Sequence, residues 1–106
     1  MRVISQDGTM DVPYDYFSLS IASGKYEDVE VAVIYCHNLS TPKGTKMAEY
    51  SSEEKAVKAM EMVRNKYLEY MSVRGGESPF TGAVTQPGIW VLPKVFRFPA
   101  DDEVEV

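Results

Sequence analysis

Two segments before the middle of the chain carry the clearest alternation of apolar and polar positions. Phe17, Leu19 and Ile21 alternate with Ser18, Ser20 and Ala22, the period-two pattern of a half-buried strand, and Gly24-Lys25 closes it. Between Asp28 and Cys36 apolar residues occupy both faces, Val29, Val31, Val33 and Tyr35 on one and Ala32, Ile34 and Cys36 on the other. This predicts a strand covered on both sides, at the centre of a sheet. Upstream, Asp7-Gly8 lies between Arg2-Val3-Ile4-Ser5 and Met10-Asp11-Val12. That arrangement predicts a hairpin with a type I′ turn, which needs positive φ at both central residues.

Residues 39–45, with Pro42 and Gly44, read as a loop, and Lys46 to Tyr50 as a short strand. A helix follows. Ser51 and Glu54 have the spacing of a capping box. At about 100° per residue, Ala56, Ala59, Met60, Val63, Tyr67, Tyr70 and Met71 fall on one stripe. Gly75-Gly76 then supply a helix stop near 72–74. Four of the seven glycines lie at 75–88, which predicts a flexible loop. Ile89 to Leu92 and Val95 to Phe98 read as a strand interrupted at Pro93, and residues 100–106 form an acidic tail.

These elements add up to an α+β fold: an antiparallel sheet of about five or six strands with one long helix packed on one face, in a single domain over residues 1–106. A helix of about 20 residues is about 30 Å long and covers one face of such a sheet. The other face needs a cover, either the long loop or a second copy of the chain. A homodimer with self-complementary two-fold contacts is the expected solution.

Composition narrows the setting. The longest apolar run, Val31 to Cys36, falls far short of the roughly 20 residues that span a bilayer. No secretory apolar region follows Met1, so a cytoplasmic site and no membrane partner are expected. One cysteine forms no internal disulfide, in keeping with a reducing compartment. The net charge of −5 argues against a nucleic-acid partner, which would have to be met by Arg2, Arg64, Arg74 and Arg97.

Candidate chemistry is sparse. Cys36 and His37 are the lone cysteine and the lone histidine. As strand neighbours they point to opposite faces and do not converge as a catalytic dyad must. Zinc would need about four such ligands. Pro42-Lys43-Gly44-Thr45-Lys46 lacks the glycine spacing and following helix of a phosphate loop. Gly75-Gly76-Glu77-Ser78 follows a helix instead of preceding one. The sequence therefore calls for no catalytic residue, no metal and no cofactor. Large rings are in surplus, since one helix and one sheet face do not hide them all. Tyr14, Tyr16, Phe80 and Trp90 form the candidate partner surface.

Three stretches carry a resemblance: Met1 to Thr9 with Val12-Pro13-Tyr14; Tyr50 to Ala56 with Met60 to Arg64; and Phe96 to Val106. In these the chain resembles a group of small, uncharacterised proteins of Gram-positive bacteria, often encoded near prophage or other mobile-element genes. Coverage is about half the chain; residues 15–45 and 73–92 depart from the pattern. The resemblance implies a bacterial cytoplasmic setting and transfers no catalytic residue.

The function expected from these features is that of a small non-enzymatic protein-interaction, accessory or regulatory domain. The alternative is a small-molecule-binding or catalytic domain with a pocket between the helix and the 75–88 loop, where Trp90, Arg74 and Glu77 would supply an aromatic wall and charges.

Overall fold

Residues 1–69 and 94–106 are described in full, and Met71–Glu77 and Val84–Trp90 as backbone, in a computed structural model of the chain. The fold is α+β with one helix, but its strands divide into separate sheets where the sequence predicts one antiparallel sheet. β1 (Arg2–Ile4), β2 (Asp11–Pro13) and β8 (Val95–Arg97) form a three-stranded sheet in the order β2-β1-β8. β3 (Ser18–Tyr26), β4 (Val29–Asn38) and β5 (Thr41–Tyr50) form a second, a meander with β4 central as expected. Among the described residues β6 (Met71–Glu77) and β7 (Val84–Trp90) pair with each other as a separate two-stranded sheet. β1 and β8 run parallel, Val3 opposite Phe96. This pairing joins the two ends of the chain, which no local pattern announces.

Local chemistry explains several departures from the sequence reading. At the first hairpin Gly8 alone has positive φ, +79°, and its N–H donates to the Ser5 carbonyl. The turn is thus of type I character closed by a left-handed glycine. Asp7 organises it by accepting from Ser5 Oγ, Thr9 N and Thr9 Oγ1. The two-residue turn with positive φ at both positions lies instead at Glu27 and Asp28 (φ 50° and 64°), between Tyr26 and Val29. It lets β3 run on past Gly24-Lys25. The segment 39–45 is mostly strand: Asn38 Oδ1 accepts from Ser40 N, Thr41 N and Thr41 Oγ1, a side-chain turn that returns the chain at once into β5. Pro42 is accommodated because β5 is an edge strand.

The helix, α1 (Glu53–Leu68), begins one residue later than the capping box predicts. Ser52 is the cap, accepting from Lys55 N, and the Glu30 carboxylate on β4 accepts from Glu53 N. Ser51 instead donates its N–H to Asp101. The helix stops at Leu68, before the glycines, and Met71 belongs to β6. Gly75 and Gly76 lie within that strand. Where a flexible loop is expected at about 75–88, the backbone pairs as an antiparallel hairpin from Met71 opposite Trp90 to Glu77 opposite Val84; residues 78–83 lie outside the described residues.

One core joins both three-stranded sheets to the helix. Val3, Val12, Phe96 and Phe98 meet Ala32, Ile34, Cys36, Met47, Ala48 and Tyr50 under Ala56, Ala59 and Val63 of α1. The helix lies across β4 with β3 and β5 at its flanks. Small residues at 32, 48, 56 and 59 let helix and sheet approach closely, and Phe96 and Phe98 fill the adjoining space edge to face at 5.3 Å. The acidic tail is partly structural. Val104 is buried, and Asp101 accepts from Ser51 N at 2.7 Å and Lys55 Nζ at 3.3 Å. The Ser51 N–H, with help from Lys55, holds the Asp101 carboxyl below its usual range. Tyr50 donates its hydroxyl to the Pro99 carbonyl, and burial, then the charges of Asp101 and Glu103, push its pKa up.

Gln6 couples the two sheets. Its N–H donates to Met47 O; its side-chain amide donates to Glu49 O and Pro99 O and accepts from Glu49 N. Arg97 donates to its carbonyl. Gln6→Ala should lower unfolding free energy by about 1–2 kcal/mol, since several of these bonds lie near solvent, measurable by urea denaturation. Val63, buried on the helix stripe, should tolerate no charge: Val63→Asp costs about 3 kcal/mol or more, read as a lowered Tm. The Ser5 and Thr9 hydrogen bonds depress the Asp7 pKa from 3.8 to about 2. Its contribution is therefore present above about pH 4 and lost as pH falls toward about 2. Denaturation curves across that window should fall less steeply for Asp7→Asn than for the wild type.

Candidate interaction surface

Alternation along β4 sends Ala32, Ile34 and Cys36 under the helix and Val29, Val31, Val33 and Tyr35 to the opposite face. The expectation that β4 is covered on both sides holds for the first set only. Val31, Val33 and Tyr35 are half-buried, and Val29 is exposed. Beside them β3 contributes small residues: Ser20 lies opposite Tyr35, Ala22 opposite Val33 and Gly24 opposite Val31, with Tyr26 opposite Val29. On the β5 side Glu49 and Lys46 flank the same row and pair at 3.2 Å. The result is an accessible apolar strip of valine and tyrosine with small residues along one side and an ion pair along the other.

At one end the strip opens into a groove of about 450 Å³ lined by Asp15, Tyr16, Phe17, Ser18, His37 and Asn38, with Leu39 and Pro42 at its rim. Gly44, at φ +84°, lets β5 approach β4 closely: a Cβ there would lie 3.1 Å from the Cys36 carbonyl oxygen and 3.2 Å from Tyr35 Cβ. Only glycine meets both conditions.

Of the sequence-predicted partner residues, Tyr16 is 77% exposed at this groove. Tyr14, two residues away on the same 3-10 turn (Tyr14–Tyr16), is half-buried, and its ring packs tilted at 39° against Tyr67 of α1, centroids 4.8 Å apart. The Asp15 carboxylate raises the pKa of the Tyr67 hydroxyl. Tyr14 is thus a half-buried bracket between the turn and the helix, beside the exposed Tyr67. Phe80 lies outside the described residues, and so does the side chain of Trp90 at the end of β7. The alternative pocket between helix and loop, with Arg74, Glu77 and Trp90, falls there too. Sequence reasoning missed Tyr26 and Leu39, 74% and 102% exposed. Their signal lay in the turn chemistry: positive φ at 27–28 places Tyr26 at the strand end, and the Asn38 turn leaves Leu39 at its tip.

Cys36 and His37 take opposite faces. Cys36 is buried in the core, and burial pushes its thiol pKa up, away from the thiolate form that attacks electrophiles or binds metal. His37 faces the groove. Among the described residues no group of three or more His, Cys, Asp and Glu side chains could hold a metal ion, and no helix is long and apolar enough to cross a membrane. Two of the four arginines proposed for nucleic acid are engaged within the fold, Arg2 with Asp11 at 2.9 Å and Arg97 with the Gln6 carbonyl. No protein-family model, curated protein or solved structure matches the chain.

Proposed function

We propose that the chain is a small non-enzymatic interaction domain, an accessory or regulatory factor of the bacterial cytoplasm, and that its contact surface is the outer face of β3–β5 with the aromatic rim at Tyr16. The observation that carries this reading is the continuity of accessible apolar side chains from Tyr26 and Val29, through Val31, Val33 and Tyr35, to the groove with Tyr16 and Leu39. Large rings on an exposed patch of this kind are typical of sites where a partner is recognised. The separation of Cys36 from His37 across the sheet supports a role without covalent chemistry. The resemblance to small proteins encoded near mobile elements supports an accessory role.

Tagged protein should retain a specific protein from nuclease-treated native lysate of a Gram-positive host. Tyr16→Ala and Tyr26→Ala, both at exposed positions, should weaken that retention about tenfold or more with no change in Tm. Retention equal to wild type in both variants, or no nuclease-resistant partner, would sink the proposal.

A further inference from the structure

The two edges of the β3–β5 sheet differ in a way that matters for what binds there. An edge strand presents unpaired N–H and C=O groups, and proteins ordinarily blunt such edges with proline, lysine, bulges or a covering segment. β5 has all of these. Pro42, Lys43 and Lys46 lie along it, its pairing with β4 shifts register between Ile34 and Tyr35 and between Cys36 and Asn38, and Gln6 hydrogen-bonds Met47 and Glu49. β3 has almost none. It pairs with β4 without interruption from Ser18 opposite His37 to Tyr26 opposite Val29, contains no proline, and carries one charge, Lys25. Among the described residues no hydrogen bond reaches its free edge, and no other strand pairs with it.

We infer that β3 is a homodimerisation edge: a second copy of the chain adds its own β3 antiparallel, across a two-fold axis at Ala22, to make one continuous six-stranded sheet. This rests on the reading of the β3–β5 sheet as the contact surface and names one partner for it. The sequence of β3 suits self-pairing in that register. Ala22 meets its own copy; on the outer face Ser20 lies opposite the partner's Gly24 and Ser18 opposite the partner's Tyr26. On the helix side Ile21 lies opposite the partner's Ser23, and Leu19 opposite the aliphatic stem of the partner's Lys25. Every large side chain meets a small or flexible one, and no like charges are opposed, as cross-strand pairing requires. The ladder would supply about nine hydrogen bonds between copies, about one per paired residue. It would also join the Val31–Val33–Tyr35 strips of the two copies across the small residues of β3. Such an isologous contact closes on itself and does not propagate.

The test uses the purified full-length chain. Sedimentation equilibrium should show a dimer at micromolar concentration. Ala22→Lys sets two like charges face to face on the axis and should weaken the dimer at least about tenfold, with an unchanged circular dichroism spectrum, because Ala22 is exposed. Under diamide, Ala22→Cys should form a disulfide-linked dimer, since facing Cα atoms of an antiparallel ladder lie about 4.5–5.5 Å apart, within disulfide reach. Gly24→Cys alone should not, being opposite Ser20 of the other copy; mixed with Ser20→Cys it should. Cys36 is buried and does not compete. A monomer at all concentrations, or a dimer that ignores Ala22→Lys and fails to cross-link through position 22, overturns the inference. Failure here with a lysate partner still sensitive to Tyr16→Ala removes self-pairing and leaves the interaction reading standing. A cross-linked dimer without any lysate partner establishes self-pairing and removes the wider reading.

Discussion

The amide of Gln6 is the contact on which the arrangement of the rest depends. Of the two three-stranded sheets, the one whose strands are only three residues long has too little hydrophobic face of its own to stand apart from the other. They must share a core. Gln6 stands at the junction, continuing the hydrogen bonding of β5 with its own backbone and side chain while holding Pro99 and Arg97 of the C-terminal segment. One residue therefore ties the end of β1 to β5 and to the segment after β8, and covers part of one edge of the larger sheet.

The position of the helix follows. Once β5 is held, Tyr50 is anchored to Pro99, Ser51 to Asp101 and Lys55 to Asp101, so the first turn of α1 is tied to the tail. Glu30, reaching from β4, meets the same turn. At the other end Tyr14 packs against Tyr67, and Lys94 donates to the Tyr67 carbonyl. Pinned at both ends, the helix covers the inner face of β3–β5. With a single helix in the described fold, the outer face and the β3 edge stay accessible. The candidate surface is a consequence of how the core closes, more than of any one exposed residue.

Much of this was legible along the chain, with instructive exceptions. Alternation at 17–22 and the doubly apolar run at 28–36 located β3 and the central strand, and the stripe of Ala56, Ala59 and Val63 identified the buried side of α1. The type I′ turn was misplaced, because Asp7-Gly8 has the favoured residues while Glu27-Asp28 has the geometry. There the pairing of two long strands imposes positive φ on residues that do not prefer it. Pro42 and Gly44 signalled a loop, yet at an edge a proline removes no needed hydrogen bond and a glycine permits the close approach to Tyr35. Tyr14 and Tyr16 were indistinguishable as sequence neighbours; only the helix beneath one of them separates them.

By itself, then, the sequence determined what short-range physics determines: strand and helix periods, a helix start within one residue, and the opposite faces of the lone cysteine and lone histidine. These depend on neighbours a few positions apart. The tertiary structure decided the parallel pairing of β1 with β8, the division into separate sheets, the conversion of part of an acidic tail into a clamp, and which edge stays open. Each of those rests on backbone hydrogen bonds and burial between residues some 40 to 90 positions apart. Such contacts form only when the whole chain closes on one core, and no local pattern of residues encodes their partners.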